Sequence, residues 1–228
     1  MAILSVQRRL EIENQARKVF EKYRHLVEDL CSEEVGPRGV IPVQTRLIIS
    51  KLYGAQLLVV RDMPNERGLF RAGSYDGTDV LISENQTAGA KRFTEAHEIA
   101  HMHLHPGEAH LRERSGDLRA SRALKEHEAD CFATNLLMPH ELASEEFIDR
   151  FRGSLAARTI DDDSAYALTA GKLLPSQIRR MSCKRFAELI AKTNWFDGRH
   201  FDFLKDVFGV SAEAMAWRLI ELRLVLQD

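Results

Sequence analysis

The chain predicts an α+β fold, a small antiparallel-rich sheet packed on helices and followed by a helical C-terminal region. Three observations predict it. Apolar residues recur at helical spacing from the start, three short β-prone runs cluster between residues 55 and 84, and helical periodicity then returns and persists.

In chain order, Ile3, Val6, Leu10, Val19, Phe20, Tyr23, Val27 and Leu30 are interleaved with charge and predict one long amphipathic helix over residues 3–30. The Gly-Pro-Arg-Gly run at 36–39 breaks it. A second helix is expected over 42–54, with Pro42 in its first turn and Gly54 just past its end. The runs 55–62, 68–72 and 78–84 predict three strands, and Gly73, Asp76 and Gly77 between the last two suit a hairpin loop. After residue 90 the pattern is helical to the end. Pro139 stops one of these helices. The expected organisation is therefore a core over 1–140 and a helical appendage over 141–228, least regular at 153–171.

At 228 residues and 26.0 kDa, the chain holds one substantial core, or one core with a smaller appendage. Its 44% apolar and 29% charged residues are ordinary for a soluble globular protein. No apolar run approaches the roughly 20 residues a spanning helix needs, and the first fifteen residues lack the pattern of a secretory signal. No membrane association and a cytoplasmic location are expected. Cys31, Cys131 and Cys183 are too few and too scattered for a disulfide framework. The net charge of -2 argues against direct DNA binding, which draws affinity from a basic excess. Basic runs at 112–125 and 179–185 read as solvated faces.

Chemistry concentrates in residues 92–105, Arg-Phe-Thr-Glu-Ala-His-Glu-Ile-Ala-His-Met-His-Leu-His. Within it lies an H-E-x-x-H motif, His97 to His101. Residues four apart on a helix share a face, so both imidazoles can reach one Zn2+ ion. Glu98 is rotated about 100° from His97. There it can act as general base on a water at the metal without being a ligand. Phe93, Ala96, Ala100 and Leu104 form an apolar stripe beside the histidine row, which turns the site inward.

A catalytic zinc site takes a third protein ligand. A third histidine in the longer H-E-x-x-H-x-x-G-x-x-H pattern is excluded, because Leu104 and Gly107 stand where glycine and histidine are needed. Residues 125–139 offer a glutamate instead. Glu126 and Asp130 are four apart on one face, and Ala129, Ala133 and Leu137 continue it inward. Glu126 is the expected ligand, and Asp130 is expected to accept the free N–H of a ligand histidine. Glu128 competes for the ligand role but points about 160° away when Glu126 faces the ion. His103, on another face, reads as a surface or loop residue, and His105 and His110 carry no assigned role.

Together with Phe-Gly-Val-Ser-Ala-Glu-Ala-Met-Ala-Trp-Arg-Leu at 208–219, these stretches resemble the ImmA/IrrE family of zinc metallopeptidases. The similarity covers roughly 40–139 and 200–225. It implies His97, His101 and Glu126 as zinc ligands and Glu98 as general base. It also implies a protein substrate, a helix-turn-helix repressor or antitoxin cleaved in a stress or prophage response. Ala100 stands where that family more often has glycine, and 145–199 is longer than its usual connection.

Residues 201–222 read as helix, tight turn at Gly209, helix. A helix-turn-helix DNA reader looks similar. The second helix has Arg218 as its only basic residue before Arg223, so a packing hairpin is the stronger reading. The functional expectation is a zinc endopeptidase whose substrate strand adds to an exposed sheet edge at 78–84. The alternative is a non-hydrolytic regulator that binds a partner protein or DNA and keeps zinc for structure.

Overall fold

The computed structural model describes residues 4–31, 35–61, 73–75, 79–106, 116–153 and 155–226. The chain divides into two compact units, Met1–Leu137 and Met138–Asp228. The expected strand at 68–72, Gly107 and His110 lie outside the described residues.

In the first unit, α1 (Val6–Cys31) buries Ile12, Ala16, Val19, Phe20 and Tyr23 along one stripe, as its periodicity predicts. The expected break at 36–39 is a 3-10 turn, Pro37–Val40. Tyr23 ties this connection to α1: its hydroxyl donates to the Val40 carbonyl at 3.2 Å and accepts from Gln44 N–H at 3.1 Å. The helix expected from residue 42 begins later and is less regular. Its α-helical turn, α2, is Thr45–Leu47, and Ile48–Leu52 continues as a π-helical turn. Pro42 follows a cis peptide bond and lies ahead of the helix rather than in its first turn. Gly54 does take the left-handed backbone expected past a helix end, with φ 67°.

The sheet departs from an antiparallel-rich plan. Its strands are β1 (Gln56–Val60), β2 (Gly73–Tyr75) and β3 (Asp79–Ser83), in the order β1-β3-β2. β1 runs parallel to β3, with Leu58 opposite Leu81, whereas β2 is antiparallel to it, with Ser74 opposite Leu81. Hairpin chemistry constrains only the neighbouring pair β2 and β3; the partner of β1 is set by a crossover. Three residues expected in the hairpin loop, 73–75, are part of β2. Within the expected edge at 78–84, β3 (Asp79–Ser83) is the central strand and not an edge, because it pairs on both sides. Val80 and Ile82, two apart and so on one face, are fully buried.

β3 leads directly into α3 (Ala88–Leu104), where the Thr87 hydroxyl accepts from Ala90 N–H and caps the first turn. α3 packs on the sheet and on α4 (Gly116–Leu137), which also packs on α1. The inward face of α3 is Ala96, Ile99, Ala100 and Met102; Phe93 and Leu104, expected in the apolar stripe, are only half-buried.

The second unit is helical but not uniformly so. It holds α5 (His140–Phe151), α6 (Asp162–Thr169), α7 (Pro175–Ile178), α8 (Cys183–Ala191), α9 (Leu204–Val207) and α10 (Ala212–Glu221). Short strands interrupt the expected run of helices: β4 (Leu155–Ala156) pairs with β7 (Val225–Leu226), and β5 (Trp195–Phe196) with β6 (Arg199–His200). Asp197 and Gly198, both at positive φ, make the two-residue turn of the second pair. The stretch 153–171, expected to be the least regular, contains α6, whose first turn is capped by Asp161 accepting from Ser164 N–H at 2.7 Å. α9 and α10 flank Gly209, at φ 62°. Arg218 of α10 is buried and donates to the Met138 carbonyl at 3.0 Å, so the helix turns this basic residue inward.

Candidate metal centre

His97 and His101 project from the same face of α3 because they are one helical turn apart. Their ring centroids are 4.8 Å apart, and the two Nε2 atoms approach to 3.1 Å. α4 brings Glu126 against them. Its Oε2 lies 3.2 Å from His97 Nε2 and its Oε1 lies 3.9 Å from His101 Nε2. Alanines make this approach possible: Ala96 and Ala100 on α3, and Ala129 and Ala133 on α4, are all fully buried.

Two imidazole nitrogens and a carboxylate oxygen, all within 4.8 Å of one another, form a group that could hold a metal ion. Ligands about 2.0–2.1 Å from a tetrahedral zinc sit roughly 3.3 Å from each other. The donor set and spacings therefore fit zinc. Facing Nε2 atoms repel when both present lone pairs, and a shared cation or a proton removes that repulsion.

The other edge of His97 is held by Asp130, whose Oδ1 accepts from Nδ1 at 2.9 Å. Burial disfavours the charged ring, but the carboxylates of Asp130, Glu126 and Glu98 outweigh it and carry the metal-free pKa of His97 up to about 10. Glu98 itself is buried, next to His97 on the helix.

Each expected site residue can now be located. His97, His101 and Glu126 converge; Asp130 meets His97; Glu98 lies within the same turn. Glu128 has other partners, Arg8 and His105. His103 is neither surface nor loop. Its Nε2–H donates to Gln15 Oε1 at 2.9 Å, and its Nδ1 accepts from the Tyr53 hydroxyl at 2.9 Å. The ring thereby ties α3 to α1 and to the end of the π-helical turn, and burial, with Lys22 and Lys18 nearby, lowers its pKa. Burial likewise pushes the Tyr53 hydroxyl up to about 12.

Sequence reasoning also missed Glu95, a buried carboxylate two residues before His97. It accepts from the Thr45 hydroxyl and, at 3.3 Å, from Arg46 Nε. Nothing local signals this pairing. His105 did carry a signal, since it follows His101 at the spacing that separates His97 from His101.

Residues 56–158, which include both halves of this site, match the Peptidase_M78 family, the IrrE N-terminal-like domain. This segment belongs to the ImmA/IrrE family. A solved Mycobacterium tuberculosis transcriptional regulator is similar at 15% identity, over 92% of this chain and 46% of that one, with a TM-score of 0.46. The chain thus spans less than half the length of that structure. No curated protein matches it. Among the described residues, no helix is long and apolar enough to cross a membrane.

Proposed function

We propose that the chain is a zinc-dependent endopeptidase of the ImmA/IrrE type, cutting a helix-turn-helix repressor or antitoxin in the cytoplasm. One observation carries the reading. His97, His101 and Glu126 converge within 4.8 Å, with buried Glu98 between the two histidines in sequence.

His97, His101 and Glu126 would hold the ion. When bound, zinc supplies Lewis acidity towards a peptide carbonyl and acidifies water. Glu98 is the proton carrier: it takes a proton from the attacking water and delivers it to the leaving amine. A purely structural zinc site has no use for such a carboxylate. Asp130 holds Nδ1 of His97, which directs Nε2 at the ion and keeps the ring from rotating. The narrow substrate class rests on the family relationship.

The test is incubation of the zinc-loaded protein with the repressor encoded beside its gene, with fragments identified by mass. Wild type is expected to give two fragments. Glu98→Gln is expected to bind one zinc and give none. Cleavage by Glu98→Gln at the wild-type rate sinks the general-base role. Equal biological potency of wild type and Glu98→Gln favours a non-hydrolytic regulator.

A further inference from the structure

Glu128 stands two residues after Glu126 on α4, and helical geometry places the two about 200° apart around the axis. Its carboxylate turns from Glu126 to other partners, one of which, His105, has its ring centroid 5.8 Å from that of His101. Arg8 Nε donates to Oε1 at 2.7 Å, and His105 Nε2 meets Oε2 at 3.3 Å. Arg8 comes from α1, and His105 is the C-cap of α3. The Glu128 and His105 side chains are only 13% and 11% exposed. One carboxylate thus joins three helices, buried on its His105 side and open to water along the Arg8 side chain, which is 36% exposed.

Apolar side chains at this junction would pack as well without the desolvation cost of ions. What the Arg8 hydrogen bond adds is direction, since it fixes an angle where apolar contacts slide; His105 Nε2 adds a close polar contact to the same carboxylate. The angle matters here. A side chain about 6 Å from the helix axis moves about 2 Å when the helix rolls by 20°. That shift would take Glu126 out of reach of an ion shared with His97 and His101.

We propose that Glu128, clamped by Arg8 and His105, is a positioning residue that sets the roll of α4 and so aims Glu126 at the histidine pair. The proposal rests on the metal-site reading and is independent of what the protein cleaves. Its consequence is that metal geometry depends on a side chain that never touches the metal.

The experiment uses the full-length chain. Zinc affinity is measured by competition with a chromophoric chelator, and geometry by the visible absorption of the cobalt(II)-substituted protein. Glu128→Ala and Glu128→Gln are each expected to weaken zinc binding about tenfold or more and to alter the cobalt bands. Arg8→Met, which removes the hydrogen bond from Arg8 to Glu128, is expected to shift both readouts in the same direction. Glu128→Gln keeps the volume and an acceptor, so it supplies the reading if Glu128→Ala fails to fold.

A folded Glu128→Gln with wild-type zinc affinity and wild-type cobalt bands overturns the proposal, even where its melting temperature falls. If wild type binds zinc tightly but cleaves no repressor, the proposed function alone fails and this comparison still decides. If wild type binds no zinc, both fall together.

Discussion

Asp130 accepts a hydrogen bond from His97 Nδ1 at 2.9 Å, on the ring edge opposite the nitrogen that meets His101 Nε2 at 3.1 Å. A carboxylate therefore orients one side of the ring and leaves the other for a cation. Asp130→Ala is expected to lower zinc affinity by about 10–100-fold. The Asp130 side chain is 54% exposed, so the metal-free fold should lose little. Chelator competition reads the first effect and thermal melting of metal-free protein the second. Undiminished affinity would remove Asp130 from the site.

Proton competition follows from His97. Its pKa of about 10 in the metal-free site keeps it protonated at neutral pH, so zinc must displace that proton. Apparent zinc affinity is then expected to rise about tenfold per pH unit between 6 and 8, with one proton released per ion from this residue. Calorimetry in two buffers of different ionisation enthalpy counts the proton. A flat affinity across that range would mean His97 binds zinc without losing one.

Thr45→Val tests the polar contact that Glu95 of α3 makes with Thr45. Thr45 and Glu95 are 2% and 4% exposed, and the valine removes a hydroxyl donor from a buried carboxylate while keeping the shape. A loss of about 1–3 kcal/mol is expected in urea denaturation of the metal-free protein. A change within error would show that Arg46, or solvent, satisfies Glu95 without the threonine.

Arg218→Ala probes the second unit. The guanidinium donates to the Met138 carbonyl at 3.0 Å and pairs with Glu221 Oε2 at 2.9 Å. Its loss is expected to cost about 1.5–3 kcal/mol, the range for hydrogen bonds to a charged group. The measurement is the unfolding transition that reports on this unit. An unshifted transition would make the buried arginine dispensable to packing.

The helices were the most legible part of the fold. α1 and α3 declare themselves through apolar residues three and four apart, which depends only on backbone geometry within one segment. The sheet was read less well. Hairpin residues announce the β2–β3 pair, whereas the parallel partnership of β1 with β3 depends on a crossover that local composition does not encode. The Asp197-Gly198 hairpin was visible in principle, as a two-residue turn signal, but lay inside a stretch whose periodicity looked helical.

From its sequence alone the protein determines that His97 and His101 share a face with Glu98 beside them, because one turn of helix is a local, hydrogen-bonded repeat. It also limits the third member of the group to the carboxylates of the later helix. Helix arithmetic favoured Glu126 over Glu128, and tertiary structure decided that Glu126 reaches the histidines and that Glu128 turns to Arg8 and His105. That choice depends on how closely, and at what roll, α4 settles against α3 across Ala96, Ala100, Ala129 and Ala133. Helix roll is a property of packing between distant segments, and no periodicity within either one specifies it.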